Sequence, residues 1–238
     1  MIEERDEFDP EVVEFVRQLI VSPSNKPLKL TNSRRRDFSQ TGQSEFVDKL
    51  MGAKNNEFFI EAGGFDGESH SNSLFFELYR NWTGIMIEPI PRYFSQILAK
   101  NRRVYAINAC IARSRPAVVK FQVDHVLSGR LSSMSNEMRD RIRKDSIIKK
   151  FAYVPCFSIN TILKAINVNR VDFFSLDVEG AEPDVIEIID FERTSFRVFS
   201  IECCSSDISR RRILDRMAAN GFKMKRLDTQ DLIMEKKF

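Results

Sequence analysis

The sequence predicts one doubly wound α/β domain: a mainly parallel sheet, a closing antiparallel strand pair and one inserted strand/helix segment. Three observations carry this. From residue 58 onward, short apolar runs alternate with runs at helical spacing, the rhythm of strand–helix–strand crossovers covering a parallel sheet on both faces. Four of the strand-like runs end on an acid (Glu61, Glu88, Asp177 and Glu202), and strand ends of an open α/β sheet share one rim, where ligands sit. The last two runs, 222–227 and 231–235, are joined by too short a turn for a parallel crossover, so they must be antiparallel.

Composition agrees. A length of 238 residues suits one large domain better than two. With 42% hydrophobic residues and 20 Phe there is enough apolar material for a large core. The net charge of +3 is too small to announce a nucleic-acid binder, although Arg34–Arg36, 139–150 and 210–212 are basic runs that most simply form solvated faces. No stretch reaches the roughly 20 apolar residues of a membrane span. The acidic run after Met1 does not read as a signal peptide. Cys110, Cys156, Cys203 and Cys204 show no CxxC spacing, so zinc is not expected; their even number permits disulfides without showing them. Asn81-Trp82-Thr83 fits the N-glycosylation pattern, a triplet that also arises by chance.

Along the chain, Asp9-Pro10 starts a helix, an N-cap followed by Pro at the first helical position, with Val12, Val13, Val16, Leu19 and Ile20 at helical spacing. A polar connection follows, then a short helix over 44–51 stopped by Gly52. Residues 1–52 read as a helical extension packed on a domain of 53–238. The expected strands are 58–60, 84–87, 104–111, 171–176 and 196–201. Helices are expected around Leu74–Leu78, Tyr93–Leu98, from Pro183 and over 208–219, the last stopped by Asn220-Gly221. The segment 112–160 breaks the rhythm: an extra strand over 117–123, a Ser/Gly loop over 128–135, a basic helix and a short strand around Val154. Insertions of this kind build substrate walls or lids.

Glu61-Ala62-Gly63-Gly64-Phe65-Asp66-Gly67 lies between a strand and a helix. Glycines there let backbone approach a ligand, and the next helix start offers free N–H groups. Glu61 can face an ammonium group. Glu88, ending the following strand, stands where carboxylates grip ribose hydroxyls. A ligand with an amino acid and a ribose fits both, and S-adenosylmethionine carries both. A nicotinamide dinucleotide fits less well, since its fingerprint needs glycine where Ala62 stands. Asp177-Val178-Glu179-Gly180-Ala181-Glu182 forms a second acidic strand end, in which Glu182 can simply serve the helix that Pro183 opens. Of the two histidines, His125 in the insertion is a candidate base, and His70 reads as structural.

Residues 58–67, 82–89, Ile107-Asn108-Ala109-Cys110 and 171–182 resemble the FkbM-type methyltransferases, and 38–44 resembles that family's animal, Star-like branch. The similarity runs from about Phe38 to the C-terminus. It implies a Rossmann-like class I methyltransferase fold and O-methylation of a hydroxyl, with sugars and natural products among the acceptors. It places S-adenosylmethionine on Glu61, Gly63, Gly67 and Glu88, with the adenine beside Asn108 and Ala109; Gly64, Phe65, Asp66, Pro89 and Asp177, in or beside the same motifs, complete the expected cofactor site. Asp177 or Glu179 would then act as base, or Asp177 and Glu202 would share Mg²⁺ or Mn²⁺ through oxygen ligands. Animal members are often tethered in the secretory pathway, which implies the Golgi lumen; read as a full-length chain, the sequence implies the cytoplasm. Some members have lost catalysis, which leaves a silent binding or trafficking module as the alternative; the retained acids argue against it. An RNA methyltransferase using the basic insertion is the weaker option, and nucleic acid is not the expected partner.

Overall fold

A computed structural model describes residues 5–111, 114–123, 150–202, 206–227 and 231–237. Helix α1 (Pro10–Leu19) starts as expected: the Asp9 carboxylate accepts from the Glu11 N–H at 2.8 Å. It buries Val12, Val13 and Val16. The chain then bridges to the sheet edge, where Val21 and Ala106 exchange backbone hydrogen bonds of 2.8 and 3.0 Å. Helix α2 (Gln43–Leu50) follows.

The main sheet holds β1 (Phe58–Ala62), β2 (Thr83–Ile87), β3 (Tyr105–Ile107), β7 (Arg170–Leu176), β8 (Ser195–Glu202), β9 (Lys223–Leu227) and β10 (Asp231–Glu235), in the order β3-β2-β1-β7-β8-β10-β9. The pairs from β3 to β8 are parallel. β10 is antiparallel to both β8 and β9. Helices α3 (Leu74–Arg80), α4 (Pro91–Ala99), α5 (Ile159–Ala165), α6 (Glu182–Ile188) and α7 (Asp207–Ala219) complete the crossovers. This is the mixed, mostly parallel α/β architecture that the alternation predicts. Among the described residues no helix is long and apolar enough to cross a membrane.

The core follows from strand alternation. Phe59, Met86, Phe173, Val198 and Ile233 point to one face and pack with Val47, Phe75, Phe76 and Ile97 of α2, α3 and α4. Ile60, Ile85, Phe174, Phe199 and Leu232 point to the other and pack with Val16, Ile162, Val185 and Ile213 of α1, α5, α6 and α7. Both faces are covered, so the strands read as near-continuous apolar runs.

The expected strand 104–111 is in fact two. β3 ends at Ile107, and β4 (Cys110–Ile111) joins a separate three-stranded sheet, β4-β6-β5, with β5 (Ala117–Gln122) and β6 (Phe151–Phe157). The apolar residues resume after Asn108 because Cys110 and Ile111 are buried in the second sheet as Ile107 is in the first. β5 and β6 pair antiparallel from Ala117↔Cys156 to Gln122↔Phe151. Cys110 and Cys156, register partners, form a disulfide. Helix α5 was not expected, though its signal was present: Ser158 accepts from the Asn160 N–H at 3.1 Å as N-cap, and Ile159, Ile162 and Leu163 follow at helical spacing. The expected loop 128–135, the basic helix, His125, Cys203 and Cys204 lie outside the described residues.

Candidate functional site

β1, β2 and β7 end together at the carboxyl rim, where a cleft of about 260 Å³ opens. Strand β1 sits between the other two, so this is where connections diverge to opposite sides of the sheet. Gly63 makes the junction. Its φ is +85°, its N–H donates to Ile87 O at 2.9 Å, and Asp177 N–H reaches back to Ala62 O at 3.1 Å. A Cβ on Gly63 would lie 1.9 Å from the Asp177 carbonyl oxygen. At Gly67, also left-handed at +81°, a Cβ would lie 3.1 Å from Ile97 Cα. Glycine is therefore needed here so that the turn can press against β7 and α4, a reason inside the protein that the ligand argument from sequence did not supply.

The acids of this turn divide by role. Glu61 is buried, and its carboxylate accepts from Ser71 Oγ (2.8 Å), Asn72 N–H (2.6 Å) and Ser73 Oγ (2.5 Å). It fastens residues 71–73 to β1 and does not line the cleft. Asp66 accepts from the N–H groups of Glu68 and Ser69 at 2.9 and 2.6 Å, shaping the turn. Buried Arg102 holds the same loop from below, donating to Gly67 O at 2.6 Å and Ser73 Oγ at 3.1 Å and pairing with Glu77. No sequence pattern marks Arg102.

Glu88 faces the cleft. Its Oε2 accepts from the Phe65 N–H at 3.0 Å and its Oε1 from the Ile90 N–H at 2.8 Å. Each oxygen keeps a further lone pair, so the carboxylate is held by the backbone with one acceptor site per oxygen left over. Burial raises its pKa to about 8 against the pull of those two N–H groups, and Asp177 and Glu179 add to the rise. Asn108 stands behind it: Nδ2 donates to the carbonyls of Glu88 and Pro89 at 2.7 and 3.0 Å. Ala109, Ile87, Ile90 and Ile111 form an apolar wall. Phe65, at φ +46°, meets Tyr93 at 4.4 Å between ring centroids. Phe121, from the inserted sheet, also reaches the cleft.

Across the cleft the loop after β7 carries Asp177 and Glu179. Glu179 and Gly180 are left-handed, at +55° and +94°. Glu182 Oε1 accepts from the N–H groups of Val178 and Gly180 at 2.8 and 3.1 Å, so this acid organises the strained loop. Asp177 faces Glu202 at the end of β8, close enough for each carboxyl to shift the other's proton affinity. Asp177, Glu182 and Glu202 offer oxygens within 4.8 Å of one another. Burial, followed by the charge of Glu202, pushes Asp177 well above the carboxylate range. Burial raises Glu179 to about 8 and Glu182 and Glu202 to about 7. Crowded, desolvated carboxyls of this kind hold protons near neutrality, a state suited to proton transfer, and a cationic ligand would draw them into the ionised form.

Of the residues expected from sequence, Gly63, Phe65, Glu88, Pro89, Ala109, Asp177 and Glu179 line the cleft. Glu61, Gly64, Asp66, Gly67 and Asn108 stand behind it, and Glu202 lines a small recess beside Asp177. His70 and Gln40 line both cavities. The sequence carries no signal for this placement of His70, because residues 71–73 are fixed by Glu61, a long-range contact without a sequence signature.

Residues 60–224 match the sequence family described as the methyltransferase FkbM domain. Similar solved structures include a precorrin-6y C5,15-methyltransferase from Geobacter metallireducens (12% identity, 85% of this chain and 90% of that one, TM-score 0.45). Others are a TehB-like SAM-dependent methyltransferase from Corynebacterium glutamicum (8%, 84% and 89%, TM-score 0.42) and a human methyltransferase 10 domain containing protein (10%, 95% and 96%, TM-score 0.42). Among curated proteins none matches the chain in sequence.

Proposed function

The chain belongs to the methyltransferase FkbM domain family, and from that premise we propose that this S-adenosylmethionine-dependent methyltransferase acts on a hydroxyl oxygen, with a carbohydrate as acceptor. S-adenosylmethionine, when bound, supplies an electrophilic methyl on a sulfonium; the protein's part is alignment and proton handling. The donor set suits it. Glu88 has one acceptor site left on each of two fixed oxygens, the arrangement that takes a pair of vicinal hydroxyls. The apolar wall at Ala109 and Ile111 has room for a flat base, and the acids opposite favour a cation.

The observation that carries the catalytic reading is the close approach of the carboxyls of Asp177, which lines the cleft, and Glu202, in the recess beside it. A pair sharing one proton has one charge left; with the shared proton on Glu202, the Asp177 carboxylate that faces the cleft can take the proton of an acceptor hydroxyl. The carboxyl-rich rim favours a neutral acceptor over a phosphate backbone. A second reading rests on the close approach of the oxygens: Asp177 and Glu202 hold Mg²⁺ or Mn²⁺, which polarises the acceptor.

Methyl-labelled S-adenosylmethionine incubated with a glycan array tests the proposal. Label on a sugar hydroxyl is expected. Tight cofactor binding without transfer to any acceptor supports the silent module instead, and label on RNA alone overturns the carbohydrate reading. A chelator that abolishes transfer selects the metal version, and undiminished transfer selects the direct base.

A further inference from the structure

The Cys110–Cys156 bridge joins β4 to β6 across 46 positions of sequence. Disulfides persist in oxidising compartments and are rare where cellular thiols keep cysteines reduced. A second feature speaks to the same compartment. Asn81-Trp82-Thr83 is the one Asn-X-Ser/Thr triplet in the chain, and it runs from the cap of α3 to the first residue of β2.

Asn81 ends α3 in the left-handed conformation, with φ +52°. Asn81 and Thr83 are exposed, whereas Trp82 between them is buried. The indole stacks on Phe76 at 4.4 Å and donates to Lys54 O at 2.8 Å. Anchoring the middle residue presents its two neighbours to solvent. Asn81 Nδ2 donates to Asn56 Oδ1 at 2.6 Å, a contact between exposed amides that one remaining N–H can keep after the other is replaced. The site is also remote from the cleft. β2 begins at Thr83 and runs to Ile87, next to Glu88, so the two ends are roughly 15–20 Å apart. A branched sugar on Asn81 would leave the cofactor and acceptor entrance clear.

We propose that Asn81 is an N-glycosylation site, occupied as the chain passes through the oxidising lumen in which Cys110 and Cys156 pair. The new bond joins Nδ2 to the anomeric carbon of an oligosaccharide. A lipid-linked oligosaccharide diphosphate is the donor, its diphosphate lipid leaves, and Nδ2 loses one proton.

The test is expression of the whole chain behind a cleavable secretion signal in mammalian cells, with peptide-N-glycosidase treatment of the pooled cellular and secreted protein. Wild type is expected to drop one step in apparent mass, and mass spectrometry to find aspartate at position 81 after treatment. Asn81→Gln and Thr83→Ala should lose the step, and Thr83→Ser, which preserves the triplet, should keep it. Reading the pooled protein means that a poorly folding, retained variant still reports. A wild-type chain that carries its disulfide and shows no step overturns the proposal. So does a step that survives in both Asn81→Gln and Thr83→Ala.

Discussion

The carbonyl oxygen of Asp177 occupies the space a side chain on Gly63 would need, 1.9 Å from the missing Cβ. The contact is backbone, so it cannot swing aside, and Gly63 is left-handed as well. Gly64 differs: its missing Cβ would meet Met86 Cε at 2.7 Å, the mobile end of a flexible side chain. Gly63→Ala should therefore cost about 2–5 kcal/mol, from the left-handed penalty plus overpacking, and Gly64→Ala about 1–2 kcal/mol or less. Urea unfolding of both variants checks this. Equal midpoints for the two would refute the ordering.

Glu88 is held by two backbone N–H groups and turned to the cleft. If each oxygen accepts one ribose hydroxyl, each charge-assisted bond contributes about 1.5–3 kcal/mol. Glu88→Ala should weaken S-adenosylmethionine binding by about tenfold or more, read by calorimetry. Unchanged affinity would remove Glu88 from the cofactor site.

Much of this was legible in the sequence, for physical reasons that differ by element. Strands buried on both faces read as apolar runs, and each run's last residue falls on the rim, so the sequence alone places Glu88 and Asp177 at the cleft. The split at residue 108 was not legible, because Cys110 and Ile111 are as buried in the second sheet as they would be in the first. Glu61 was placed at the right strand end, but its hydrogen bonds to 71–73 depend on where a later loop folds. Arg102 and His70 join the site's support and its lining through the same loop.

The Cys110–Cys156 bridge closes a loop of sequence separation 46 beside the cleft wall formed by Cys110 and Ile111. Cross-links of that span stabilise by about 2–4 kcal/mol, chiefly by restricting the unfolded chain. Reduction, or Cys156→Ser, should lower the melting temperature by roughly 5–15 °C. Because Phe121 on the bridged sheet also lines the cleft, acceptor KM should rise more than cofactor Kd. An unchanged melting temperature after reduction would show that the bridge does not constrain the fold.

The acids set the sign of the pH dependence. Glu88 and Glu179 lie near 8, and Glu182 and Glu202 near 7, all raised from 4.5 first by burial. Between those limits the folded protein keeps protons that the unfolded chain has released. Free-protein stability should therefore fall as pH rises from about 4.5 through about 8. A cationic ligand favours the ionised forms, so S-adenosylmethionine should release protons on binding and bind more tightly as pH rises toward 8. Thermal melts from pH 5.5 to 8.5, with and without ligand, measure both. A free-protein melting temperature that climbs across this range would contradict the assignment.

Asp177 touches every part of the proposed chemistry: its main chain clasps Gly63, its carboxyl faces that of Glu202, and its side chain lines the cleft. Asparagine at this position keeps the size and the main-chain clasp, and removes the charge and the proton-accepting oxygen. If Asp177 takes the acceptor proton, Asp177→Asn should cut kcat by about 100-fold or more, the scale of a positioned base. Cofactor Kd should shift far less if, as proposed, Glu88 and not Asp177 takes the ribose. The variant should also melt no lower than wild type at pH 8, because it relieves crowding between Asp177 and Glu202 that grows as they ionise. Loss of activity with preserved stability thus separates a chemical role from a structural one. Near-normal turnover in Asp177→Asn would sink both the base and the metal versions, since each needs the carboxylate.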